Sequence, residues 1–149
     1  MFNQQELDLI KNTHKSLKEY KGEYTVGILY GWMKIFFITK SKLLDRLPIQ
    51  TIDPNIWGIA PKDIWICKTY YKDGAIHRTV SNDHSVRTVA AHLWVSVIHH
   101  WITYLRAYES ENVIKLNFYF RGIERVKFRL EVSVENFRVF LLKLCDTIL

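Results

Sequence analysis

Cysteine, proline and glycine are all scarce in this chain. Cys67 and Cys145 are too few for a disulfide framework and lack the CxxC or Cys-His spacing of a zinc site, so both read as buried free thiols. Three prolines and six glycines are roughly half the usual share, which excludes collagen-like and low-complexity chains and favours long regular elements. The opening residues, MFNQQELDLIKN, lack a basic segment followed by an apolar run, so no secretory signal is expected and the expected location is cytoplasmic. The 18 residues from Thr88 to Leu105 carry no formal charge, but they include His92, Ser96, His99 and His100 and read as a buried helix of a soluble protein, with no membrane span. There is no Walker loop, GxGxxG, HExxH or GxSxG and no carboxylate-lysine nuclease triplet, so no cofactor is expected.

What the chain does have is apolar residues at 48%, 21 aromatics among its 149 residues, and 21 Lys and Arg against 15 Asp and Glu. With a mean hydropathy of −0.08 and a pI near 9.3, this describes a folded basic body with a heavy aromatic core. A single α+β domain over residues 1–149 is expected, with an antiparallel sheet of hairpins packed on a long central helix and with N- and C-terminal helices.

Asn3 and Glu6 have the spacing of a capping box, and Leu7, Ile10, His14 and Leu17 recur at helical spacing, predicting a helix over 4–21. Tyr24 to Ile38, rich in aromatic and branched residues and interrupted by Gly27 and Gly31, reads as two strands. Pro48, Pro54 and Pro61 mark a long irregular connection. Asp73-Gly74 suits a type I′ turn, pairing Tyr71 with Ile76 and Cys67 with Val80, and leaving Lys68, Tyr70, Lys72, His77 and Thr79 on the polar side. A helix over 83–107 presents Leu93, Trp94, Trp101 and Leu105 on one wide arc. Val113 to Ser133 alternates as a second hairpin, and a three-residue loop at Gly122-Ile123-Glu124 sets Tyr119 opposite Lys127 and Arg121 opposite Arg125. Ser133 then caps a final helix with Phe137, Phe140, Leu141, Leu144 and Ile148 in one stripe. Trp94, Trp101, Phe118, Phe120, Phe128, Leu130, Phe140 and Leu144 are expected in the core.

The outward side of the second hairpin carries Lys115, Tyr119, Arg121, Arg125, Lys127 and Arg129 with Glu131 as its one acid. Like charges facing one another across strands destabilise a sheet unless an anion sits between them, and Tyr119 offers a ring on which a base can stack. These six residues are the expected contacts of a small non-catalytic protein that binds DNA or RNA, with Lys68, Tyr70, Lys72 and His77 extending the platform if both hairpins share a sheet. The alternative is a protein-interaction module, adaptor or chaperone-like, anchored on a protein partner by Ile56, Trp57 and Ile59 of the proline-bracketed loop. The order of elements is similar to that of the α+β chaperones of bacterial secretion systems, which clamp clients as dimers, although those are typically acidic; the generous supply of aromatics makes a homodimer a further expectation. A third reading is a phosphodiesterase, because His77-Arg78-Thr79 looks like one half of the paired HxT pattern of two-histidine phosphoesterases. A second half is offered only by His14-Lys15-Ser16, within the first helix. No metal site is expected, since His92 and His99 lie about 10 Å apart along one helix.

Overall fold

The computed structural model of the chain describes residues 2–19, 42–98, 102–106, 114–121 and 126–149, with side chains at 2–19, 42–96 and 126–149. Helix α1 (Gln4–Lys18) begins with a full capping box: the Asn3 side chain accepts from the Glu6 amide at 2.8 Å, and the Glu6 carboxylate accepts from the Asn3 amide at 2.9 Å. The Lys42 ammonium also donates to Glu6, at 2.9 Å, and holds its carboxyl below the usual carboxylate range. Ile10 and Leu17 are the buried stripe of this helix. The strands expected at Tyr24 to Ile38 lie outside the described residues.

The proline-bracketed connection is more ordered than its composition predicts. Asp53 caps a one-turn helix, α2 (Pro54–Trp57), by accepting from the Asn55 amide at 2.9 Å, and Gly58 ends it in the left-handed region with φ 76°. A Thr51–Ser85 bridge and an Ile52-to-His84 backbone hydrogen bond of 2.8 Å tie the segment to the residues before the next long helix. The turn exists because its apolar residues are spent inward: Trp57 is 5% exposed and Ile59 1%. A Cβ added at Gly58 would lie 2.6 Å from the Asn136 carbonyl oxygen, whereas one at Gly74, with the same φ, would meet nothing. Gly58→Ala is therefore expected to cost on the order of 2 kcal/mol. Gly74→Ala should cost about half that, and the two thermal melts measured side by side test the difference.

Strands β1 (Ile64–Lys72) and β2 (Ala75–Val80) are antiparallel, joined at Asp73-Gly74 with φ 55° and 76°, the backbone of a type I′ turn. Tyr71 pairs with Ile76 and Cys67 with Val80. Helix α3 (Val86–Ile98) follows, then β3 (Ile102–Arg106), β4 (Ile114–Arg121), β5 (Val126–Ser133) and helix α4 (Val134–Ile148). The five strands form one antiparallel sheet in the order β2-β1-β5-β4-β3. The single long helix expected over 83–107 is corrected here: its last residues are a strand paired with β4, Ile102 against Phe118 and Tyr104 against Leu116. Ile102-Thr103-Tyr104-Leu105 is branched and aromatic, so it serves a pleated strand as well as a helical arc, and pairing with β4 satisfies its backbone in the sheet.

Ile64, Ile66, Phe128, Leu130 and Val132 on the sheet join Val86, Val89, Ala90 and Leu93 of α3 and Phe137, Phe140, Leu141 and Leu144 of α4 in one hydrophobic cluster. The C-terminal helix supplies the large core rings: Phe140 lies 5.7 Å from Trp57 and 6.3 Å from Phe137, centre to centre. Two polar ties lock α4 to α1, an Asp146 pair with His14 at 2.9 Å and an Arg138 donation to the Leu17 carbonyl at 2.9 Å. Of the eight expected core residues, Phe128, Leu130, Phe140 and Leu144 are buried and Trp94 is partly buried against the cluster. Trp101 and the side chains of Phe118 and Phe120 lie outside the described residues. Among the described residues no helix is long and apolar enough to cross a membrane.

Candidate nucleic-acid interface

The register of β1, β4 and β5 decides which residues share a face, because cross-strand partners stand on the same side of a sheet. On one side, Ile64 and Leu130 pair, as do Ile66 and Phe128, and both pairs are buried in the cluster. On the other side Trp65 pairs with Arg129 and Cys67 with Lys127. Continuing across to β4, Tyr119 is the partner of Arg129 and Arg121 the partner of Lys127. The sheet thus carries a row of positions Trp65, Arg129 and Tyr119 beside a row Val80, Cys67, Lys127 and Arg121. Trp65 is 42% exposed, Arg129 and Glu131 are exposed, and Lys127 is half-buried.

Two sequence expectations change. The β4–β5 register is shifted by two residues, so Arg121 faces Lys127 and Tyr119 faces Arg129, while Arg125 lies outside the described residues. Two cations still face each other across the strands, and Lys115 is the partner of Ser133 on the same side. The second change concerns the first hairpin. Both hairpins do share a sheet, but Lys68 pairs with Val126 and so belongs, with Tyr70, Lys72, His77 and Thr79, to the face of Phe128 and Leu130. That end of the hairpin is exposed on both sides, so its polar residues meet water although they continue the core side. Tyr71, Ile76, Val80 and Arg78 lie instead on the side of Lys127 and Arg129, with Tyr71, Ile76 and Val80 each 57–59% exposed. Sequence pattern alone missed Trp65 and Tyr71, because in the run Ile64-Trp65-Ile66-Cys67 every residue is apolar and only the pairing with β5 assigns a side.

Where β1 begins and α4 starts, the same face opens into a cleft of about 430 Å³ lined by Lys62, Asp63, Trp65, Arg129, Glu131 and the Gly58 turn, among others. At the α4 end of its lining the Ser133 hydroxyl caps the helix by accepting from the Asn136 amide at 3.1 Å. Two cations and two carboxylates line it, so it carries no excess of either sign, while the half-buried Lys127 lies further along the face, beside the buried Cys67.

The other candidate residues are placed elsewhere. Trp57 and Ile59 are core residues, and of the expected loop anchor only Ile56, 49% exposed, remains at the surface; with Trp57 turned inward the loop has no large ring to offer a partner. His77 stacks on Tyr70 at 5.3 Å, and His14 pairs with Asp146, so the two possible HxT halves are engaged on separate elements. Both cysteines are buried, and burial pushes the Cys145 thiol up to about 12, which keeps it protonated. His92 packs on the Phe128 ring at 5.3 Å, and burial lowers its pKa to about 4, with the Lys68 charge adding to the effect. Among the described residues no group of His, Cys, Asp and Glu has the geometry to hold a metal ion. The chain matches no protein-family model, no curated protein and no solved structure.

Proposed function

We propose that this chain is a non-catalytic nucleic-acid-binding protein that uses the side of its sheet opposite the core cluster. The observation that carries the reading is the placement of Arg129 and Lys127 on that face, in rows that run from Trp65 on β1 to Tyr119 and Arg121 on β4. Cations on an open sheet supply phosphate contacts, whose affinity comes largely from released counterions, and aromatic positions between them supply stacking. Lys115, at the far end of β4, and Arg125, in the β4–β5 connection, are the further contacts of this reading. A net charge of +6 supports attraction to a polyanion from a distance.

A Lys127→Gln/Arg129→Gln variant tests the proposal. Loss of two phosphate contacts should weaken binding and make the slope of log affinity against log salt shallower by about 1.4 for a single strand or about 1.8 for a duplex. Fluorescence anisotropy of a labelled oligonucleotide over a salt series reads both quantities. Unchanged affinity and slope in a variant with the parental circular dichroism spectrum would remove the reading.

A further inference from the structure

The chemistry of the cleft goes further than the charge of the face. We infer that the nucleic acid taken by this surface is single-stranded and that one of its bases sits in the cleft against the indole of Trp65; this rests on the nucleic-acid reading above. In a duplex the base faces are covered by their neighbours and only the edges reach the grooves, so a ring standing on a sheet has nothing to stack on. An unpaired base offers a free π face, and Trp65 is 42% exposed, forms part of the cleft wall and has Arg129 as its cross-strand partner. The composition of the cleft separates base from phosphate. Lys62 and Arg129 are matched there by Asp63 and Glu131, so the cleft has no net positive charge to hold a bare phosphate, whereas an uncharged base needs none and can donate from an amino group to the Asp63 carboxylate. The phosphates are then left to the neighbouring row, where the partly exposed Lys127 and the Arg121 position lie. Further along β1, Tyr71 is 59% exposed on the same face and gives a second ring about 20 Å away at strand spacing, so the bound strand runs along β1 from the cleft toward the hairpin tip.

The test compares the full chain with Trp65→Ala and Trp65→Phe, using labelled mixed-sequence oligonucleotides of DNA and of RNA, each presented as a single strand and as a duplex. The parent should bind the single strand more tightly. Trp65→Ala should lose roughly 5- to 150-fold in affinity for it, the range for one stacked base, with the salt slope and the duplex affinity unchanged, while Trp65→Phe retains most of the binding. Binding of either sugar type supports the inference, and the stronger arm identifies the polymer. A folded Trp65→Ala protein that binds single strands like the parent overturns the inference; if Lys127→Gln/Arg129→Gln still weakens binding, the broader reading survives it. Equal or tighter binding of the duplex also overturns the single-strand assignment. A parent that binds none of the four probes overturns both.

Discussion

Replacing Phe140 with alanine is expected to lower the unfolding free energy by about 3–5 kcal/mol, a large part of the 5–15 kcal/mol typical of a domain. The ring is fully buried and joins two elements with little freedom to close a gap. On one side stands Trp57, 5.7 Å away, held by a helical turn with Asp53 at its start and a left-handed glycine at its end. On the other is Phe137, one turn back on the same helix and 6.3 Å away. Because both neighbouring rings sit on hydrogen-bonded helical backbone, the gap can close only by side-chain rotation, and much of the void is expected to persist. Urea unfolding with an unchanged m-value measures the effect, and Ile56→Ala, at a half-exposed position one residue before Trp57, should stay within about 0.5 kcal/mol. A loss below about 1 kcal/mol for Phe140→Ala would show that α2 and α4 do not pack as described.

The second large effect is a loss of stability in mild acid that depends on His92. The partly buried imidazole packs on Phe128, with its pKa depressed to about 4 from the ordinary 6.5, first by burial and then by the Lys68 charge, with Asp83 acting weakly in the opposite sense. In the unfolded chain this histidine takes a proton near pH 6.5, while the native protein declines it until about pH 4. The unfolded state therefore binds more protons between those values, and stability is full above the upper one and falls as pH drops toward the lower. The loss amounts to about 1.4 kcal/mol per pH unit within the window and about 3 kcal/mol in all. Glu6 and Asp83 have carboxyls held below their ordinary values, by Lys42 and by the Thr88 hydroxyl respectively, so their contribution is lost at still lower pH. Denaturant titrations from pH 7 to 4.5 on the parent and on His92→Gln separate the two, because the variant should lack the upper part of the decline. A parallel decline in both proteins would rule out His92 as its source.

The parts of the fold legible in the sequence are those fixed by neighbours in the chain. Asn3 and Glu6 announce α1 because the capping box closes within one turn, and Asp73-Gly74 sets the register of β1 and β2 because a two-residue turn leaves no choice. The stripe from Phe137 to Ile148 needs only helical periodicity. The β4–β5 register escaped because no turn residue of that kind pins it, and a slip of two residues keeps every side chain on its face. Residues 102–106 were misread as helix because strand formation there depends on β4, which lies further along the chain. The candidate site was half legible for the same reason. Alternation along β5 is enough to expose Lys127 and Arg129, but Trp65 becomes their neighbour only through a pairing between distant segments.

That pairing also shapes how the protein reaches its native state. Each hairpin can assemble from adjacent residues, and so can the capped terminal helices, but the seam that makes one sheet of two joins Ile64 to Leu130 and Ile66 to Phe128 across most of the second half of the chain. Closing so long a loop costs conformational entropy before any of the seam's contacts repay it, as does docking α1 on α4, whose partners His14 and Asp146 lie still farther apart in the chain. The row Trp65, Arg129 and Tyr119 crosses this seam, so these three positions become neighbours only when it has closed, and a chain with the seam open would carry Arg129 without the tryptophan beside it.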